Sequence, residues 1–95
     1  MTPDEQVARL FKECRSLVSA RGAAEVQHYL DCGEYEMAFE GLVLELIEAD
    51  ASPLGFEFPV WKSIARETGI LEDPVFDSDF GAKLDAWGRR SQDQA

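Results

Sequence analysis

Apolar residues recur at three- and four-residue steps along much of the chain, which is the spacing of one helix face. The pattern is strongest near mid-chain and predicts a central helix over residues 34–49. One face carries seven apolar residues: Tyr35, Ala38, Phe39, Leu42, Val43, Leu46 and Ile47. The opposite side carries a second, mixed set: Met37, Gly41, Leu44, Glu40 and Glu48. A helix that is apolar on two sides is either enclosed by neighbours or offers its second side to another molecule.

The same spacing predicts up to four further helices. The first begins after Thr2, which suits the N-cap, and Glu5 completes a capping box. Gly22 is expected to end this helix, because glycine is common just past a helix C-terminus. Gly69 is expected to end the fourth helix for the same reason. The predicted bounds of the remaining helices are 23–31, 59–68, and 77 or 79 to 87.

Two segments are predicted to lie outside the helices. Residues 50–58 contain a proline and a glycine, which indicates a loop, with Leu54 and Phe56 fixing it to the core. Residues 89–95 are expected to form a flexible C-terminal tail, so the helical domain would cover 1–88. No β-type alternation of useful length is present. The predicted fold is all-α: a small single-domain bundle of four to five helices.

The net charge of −10 is concentrated in one block of the chain. Residues 22–61 hold nine Asp or Glu and no Lys or Arg, whereas residues 1–21 have a balance of +1 and residues 62–95 of −2. This charge argues against non-specific binding to nucleic acid or to an anionic membrane, because both need cationic protein surface. It would steer a cationic partner toward the block. The alternative explanation is that acidic surfaces keep small proteins soluble.

The cysteines and the apolar runs indicate the cellular compartment in which the protein is expected. Cys14 and Cys32 are too few for a disulfide framework, and Cys14 falls on an apolar helix face. The polar N-terminus does not resemble a signal peptide, and no apolar run approaches the length of a membrane span. We therefore expect a reduced, cytoplasmic protein.

Few residues suggest catalysis. His28 and Cys32 are four residues apart and share a helix face, but a partly buried histidine beside a cysteine is more often structural. Paired Cys or His motifs for a metal are absent, so neither a metal nor another cofactor is expected. Asp77-Ser78 resembles the phosphopantetheine attachment site of acyl carrier proteins, although Asp79 replaces the hydrophobic residue that follows the serine there. A carrier protein and a small enzyme therefore stay as alternatives to a non-enzymatic protein.

The segment from Tyr29 to Leu42 resembles the central signature of Maf-type immunity proteins. These are small helical proteins encoded beside polymorphic and contact-dependent toxins. Gly33 matches the turn between two helices, Glu34 the acid that follows it, and Ala38 a packing position. The likeness extends over about half of the chain. It implies a non-catalytic immunity protein that binds and neutralises a cognate bacterial toxin.

The resemblance and the charge together suggest a mechanism. Many toxins of this kind are nucleases with basic clefts, so carboxylates placed where phosphates would bind can exclude the substrate. The predicted partner-binding residues combine an apolar anchor with an acidic rim: Glu36, Met37, Glu40, Leu44, Glu45, Glu48 and Asp50. Reversing Glu40 and Glu48 to Lys is expected to weaken the complex.

Other readings of this surface remain open. Met37 and Leu44 could instead be core residues, or they could form a homodimer contact. A helical adaptor that binds a basic or amphipathic endogenous partner is the main alternative to an immunity protein.

Overall fold

The computed structural model describes residues 1–94, which form five α-helices and one short 3-10 turn. The elements are α1 (Pro3–Cys14), the 3-10 turn (Arg15–Leu17), α2 (Ala20–Asp31), α3 (Tyr35–Glu48), α4 (Phe58–Thr68) and α5 (Phe80–Gln94). None of the described residues lies in a strand. The predicted all-α, single-domain bundle is confirmed. Within residues 1–94, no helix is both long and apolar enough to cross a membrane.

The central helix of the bundle is α3, which contacts α1, α2, α4 and α5. Its predicted core face is buried at Ala38, Phe39, Leu42, Val43 and Leu46. Residues of the other helices close around that face and complete the core: Val7, Phe11, Val26, Trp61, Ile64, Phe80, Leu84 and Trp87. The apolar periodicity therefore identified both the central helix and the side of it that packs.

The connection between α1 and α2 differs from the prediction. The first helix ends at Cys14, and the Ser19 hydroxyl caps α2 by accepting from the backbone N–H of Gly22 at 3.0 Å. Gly22 therefore lies in the first turn of α2 and does not end a helix. It is buried, and a Cβ at this position would overlap the carboxylate of Glu45. Glycine here allows α2 and α3 to approach closely.

The loop between α3 and α4 is fixed at one of the two predicted points. Phe56 is buried, and its ring lies 5.0 Å from that of Trp87 and 5.4 Å from that of Trp61, centroid to centroid. The Trp87 indole N–H also donates to the carbonyl oxygen of Ala51 at 3.0 Å. Leu54 is fully exposed, so its predicted contact with the core is wrong.

The prediction of a flexible tail is wrong for residues 89–94, because α5 continues to Gln94. Ser91 is buried, and the side-chain oxygen of Gln92 accepts from the backbone N–H of Phe58 at 2.7 Å. The helical domain thus extends past its predicted end. The final residue lies outside the described part of the chain.

Candidate partner-binding site

Glu40 is not on the surface that the sequence predicted. Its side chain is 0% exposed. Its carboxylate accepts hydrogen bonds of 2.8–3.1 Å from the backbone N–H groups of Val75, Phe76 and Asp77. A carboxylate has several acceptor sites, so three converging N–H groups satisfy it without a cation. Glu40 anchors the segment before α5, and its predicted role as a partner contact is wrong.

The other predicted residues do not form one patch. Glu36 and Glu45 are nine residues apart on α3, which places them about 180° apart around the helix axis. Met37 and Leu44 are half-buried, and Glu48 is exposed. Leu44, Glu45 and Glu48 lie within one turn of each other near the C-terminal end of α3, whereas Glu36 and Met37 lie toward its start.

A groove of about 120 Å³ lies between α2 and α3. Its lining combines residues of α2, of α3 and of the segment before α5: Gly22, Glu25, Val26, Tyr29, Gly41, Leu44, Glu45 and Phe76. Of the predicted binding residues, Leu44 and Glu45 belong to this lining. The groove is smaller than a typical small-molecule pocket. It accommodates the end of one side chain and is small for a substrate or cofactor site.

The groove follows from helical spacing and from two glycines. The lining residues of α2 and those of α3 each recur at steps of three and four, so each set forms one helix face. Gly22 and Gly41 lack side chains that would fill the space between the helices. A Cβ at Gly41 would meet Val26, Tyr29 and Phe76 at 3.8–4.0 Å, which is ordinary van der Waals contact. The sequence signal for this groove is the pair of glycines, although sequence rules alone predict Gly22 as the end of a helix.

Two carboxylates border the groove, and neither is held by a strong ion pair. Glu45 accepts from the Ser19 hydroxyl at 3.4 Å, near the N-terminus of α2, where the helix dipole favours an anion. Glu25 lies 3.6 Å from Arg21, and both side chains are largely exposed. Exposed pairs of this kind contribute little stability.

Glu48 and Asp50 carry negative charge at the negative end of the α3 helix dipole. They lie at the C-terminal end of α3, whose last turn contains no basic residue. Asp50 also has a φ of +50°, in the left-handed region that glycine occupies more easily. Its one ion-pair partner in the described chain is Arg90, at 3.9 Å. Both carboxylates therefore occupy positions that are unfavourable for the free protein.

An aromatic pair forms the remaining wall of the groove. Phe76 is 45% exposed, and its ring centroid lies 5.5 Å from that of Tyr29 at an interplanar angle of 38°. The backbone N–H of Phe76 is 3.1 Å from both carboxylate oxygens of Glu40. The buried carboxylate thus fixes the segment that carries an exposed ring, and the sequence pattern did not reveal this link.

The residues considered for catalysis lie elsewhere. His28 Nε2 is 3.9 Å from Cys32 Sγ at an exposed position near the end of α2. Burial raises the pKa of the Cys14 thiol to about 12, so this cysteine stays protonated. Ser78 is exposed just before α5. Within residues 1–94, no group of three or more His, Cys, Asp or Glu residues is arranged to hold a metal ion.

Comparisons with protein-family models, with curated proteins and with solved structures find no match to this chain. The resemblance to Maf-type immunity proteins therefore stays a prediction from the sequence.

Proposed function

We propose that this protein is a non-catalytic, cytoplasmic immunity protein that binds and neutralises a cationic bacterial toxin. The observation that carries the proposal is the placement of Glu48 and Asp50. Both put negative charge at a helix end that disfavours it, and Asp50 also adopts a left-handed backbone conformation. Residues that cost stability in the free protein are characteristic of functional surfaces. A cationic partner would supply the counter-charge that α3 lacks.

The proposed toxin is a nuclease with a basic substrate cleft. The acidic α3 end would bind where substrate phosphates otherwise lie, and would exclude the nucleic acid without any chemistry of its own. Leu44 supplies partly exposed apolar surface beside Glu45 and Glu48, which matches the apolar centre and polar rim of protein interfaces. The resemblance of residues 29–42 to Maf-type proteins supports this choice of partner.

The geometry changes which residues belong to the proposed interface. Leu44, Glu45, Glu48 and Asp50 stay in it, because they cluster near the C-terminal end of α3. Glu40 leaves it, because it is buried. The sequence suggests a test in which Glu40 and Glu48 are both changed to Lys. Glu40→Lys would break the anchor of the segment before α5, so that double variant would not report on binding alone.

Co-expression with the product of the neighbouring reading frame tests the proposal, with cell survival and co-purification as readouts. Native protein is expected to protect the cells and to co-purify with the toxin. The variant Glu48→Lys/Asp50→Lys should bind more slowly and less tightly, most visibly at low salt. Glu67→Lys/Glu72→Lys is the matched control, because it makes the same charge change at exposed positions in and just after α4.

Three outcomes separate the possibilities. If both double variants weaken toxin binding equally, only the total charge matters, and a specific binding surface on α3 is contradicted. Binding of an endogenous basic protein without protection of the cells would favour the helical adaptor over the immunity protein. If the protein neither protects the cells nor forms a complex with the toxin, the proposed function is refuted.

A further inference from the structure

We infer that the groove between α2 and α3 is an acceptor site for one arginine side chain of a basic protein partner. The inference rests on the proposed function and deepens it, because it names the group that anchors the partner. It also moves the centre of the interface from the outer face of α3 to the space between two helices.

The shape of the groove fits a long side chain with a flat end. Leu44 provides apolar surface, and Gly41 leaves space above the backbone of α3. The methylene stem of an arginine can cover such surface while its charged end stays near solvent. At about 120 Å³, the groove has room for one such group.

The aromatic wall favours a guanidinium group over an ammonium group. Tyr29 and Phe76 present two rings, 5.5 Å apart, at one side of the groove. A planar guanidinium stacks on an aromatic face and is more weakly hydrated than an ammonium, so it loses less solvation on entering. A lysine would gain the charge contacts without this stacking.

The carboxylates at the edge of the groove provide the charge complement. Glu25 belongs to α2 and Glu45 to α3, so the two acids approach the groove from different helices. Charged hydrogen bonds between a guanidinium and a carboxylate are among the strongest polar contacts in proteins. Among the described residues, the one ion pair made by either carboxylate is that of Glu25 with Arg21 at 3.6 Å, and the Arg21 side chain is 91% exposed. A partner arginine can therefore replace or join Arg21 at little cost.

The groove is fixed before a partner arrives. The four hydrogen bonds to Glu40 hold the backbone of residues 75–77, and therefore the position of the Phe76 ring. The Ser19 hydroxyl adds a weaker contact to Glu45, at 3.4 Å. A site that is already ordered loses less conformational entropy on binding.

Charge identifies the class of occupant. A second copy of this chain would bring another acidic surface against Glu25 and Glu45, and a net charge of −10 makes that approach unfavourable. Nucleic acid and anionic lipid would be repelled for the same reason. A basic protein segment is the partner that the groove complements.

The test uses short peptides as probes of the native protein. Three peptides, Ac-Ala-Gly-X-Gly-Ala-NH₂ with X as arginine, lysine or citrulline, are titrated into ¹⁵N-labelled protein at low salt. Amide shifts for the arginine peptide should be largest at Gly22, Gly41 and Phe76. Its affinity should exceed that of the lysine peptide by about threefold or more, and citrulline should not bind.

Matched variants separate the groove from the general acidic field. Glu25→Gln/Glu45→Gln and Glu67→Gln/Glu72→Gln remove the same charge, one pair at the groove and the other at exposed positions in and just after α4. The first should weaken arginine-peptide binding on the order of tenfold, and the second less than about twofold. Phe76→Leu changes an exposed residue, so the fold should persist while the preference for arginine over lysine is lost. Thermal melting of each variant checks folding.

Failure of this inference is distinguishable from failure of the proposed function. Equal weakening by the two glutamine pairs, or equal binding of arginine and lysine, overturns the arginine site. So does the absence of any shift near the groove. In each of these cases, protection and co-purification in the co-expression experiment still decide the proposed function independently.

Discussion

Some carboxylates on the α2–α3 side of this protein differ from those on the α4–α5 side in their ion-pair partners. On the α4–α5 side, Asp85 is bridged to Lys62 and Asp77 to Lys83. On the α2–α3 side, Glu45 is held by a hydroxyl, and Glu48 has no ion-pair partner within residues 1–94. Asp77 and Asp85 thus each have a lysine partner, whereas Glu45 and Glu48 have no cationic partner among residues 1–94 and are available to another molecule.

Some apolar side chains of the two sides also differ in burial. On the α4–α5 side, Trp61 and Trp87 are enclosed with Phe56. On the α2–α3 side, Leu44 is only half-buried and Phe76 is partly exposed. The comparison shows that the total number of acidic or apolar residues does not locate a binding surface. What matters is which of them the fold leaves without partners.

The largest difference should appear on truncating one apolar side chain from each side. Trp87→Ala is expected to lower the free energy of unfolding by about 3–5 kcal/mol, because it opens a cavity in the aromatic cluster and leaves the Ala51 carbonyl without its donor. Leu44→Ala should cost roughly 1 kcal/mol, since this side chain keeps part of its solvent contact. Urea denaturation measures both. Similar losses would show that the two sides are equally important to the core.

Glu40→Gln should have the next largest effect. The amide supplies one acceptor oxygen where the carboxylate supplies two, so backbone N–H groups of residues 75–77 would lose hydrogen bonds. We expect a loss of about 2 kcal/mol in the free energy of unfolding, with faster hydrogen exchange at those amides. Glu48→Gln is the control for removing one charge from α3. If the two variants are equally stable, the buried anchor is not important for folding.

Glu48→Lys should act in the opposite direction. A cation at the C-terminal end of α3 complements the helix dipole, so the free energy of unfolding should rise by about 0.3–1 kcal/mol. The same change should weaken binding of a cationic partner. Thermal melting and partner binding would be measured on one preparation. A variant that is more stable and binds as well as native protein would remove the main support for the proposed surface.

The smallest effect concerns pH and the Asp77–Lys83 pair. The hydrogen bond from Lys83 holds the pKa of Asp77 below its ordinary value of 3.8, and the same bond raises the pKa of Lys83 above 10.5. The pair therefore contributes stability between these values. That contribution is lost as pH falls through the lowered pKa of Asp77 or rises through the raised pKa of Lys83. Unfolding measured across pH should show a shallower acid decline for Lys83→Gln than for native protein. An unchanged profile would contradict this coupling.

Local sequence rules predicted most of the fold. The apolar stripe of α3 is buried, Thr2 caps α1, and Gly69 ends α4 in the left-handed conformation. These features depend on residues close together in the sequence, so their spacing is sufficient to predict them.

The failures concern long-range contacts. Glu40 reaches backbone groups 35–37 residues away, and nothing in its own helix indicates that a loop will return there. The close approaches at Gly22 and Gly88 are not predictable from a single sequence, because a glycine that ends a helix and one that admits a neighbour look alike there. At Gly88, a Cβ would overlap the ring of Phe58, which α5 must accommodate. The extended end of α5 is unpredictable for the same reason, since its stabilising contact with Phe58 comes from another helix.

Glu40 has a structural role that Glu25, Glu45 and Glu48 do not share, and this difference has an evolutionary consequence. One carboxylate maintains the framework, while those at the groove edge and at the C-terminal end of α3 contribute little to it. Substitutions at the groove edge could therefore accumulate without unfolding the protein, and each new combination would present a different charge pattern on an unchanged scaffold. A lineage could in this way follow a diversifying partner through a few surface positions, provided that the buried glutamate is retained.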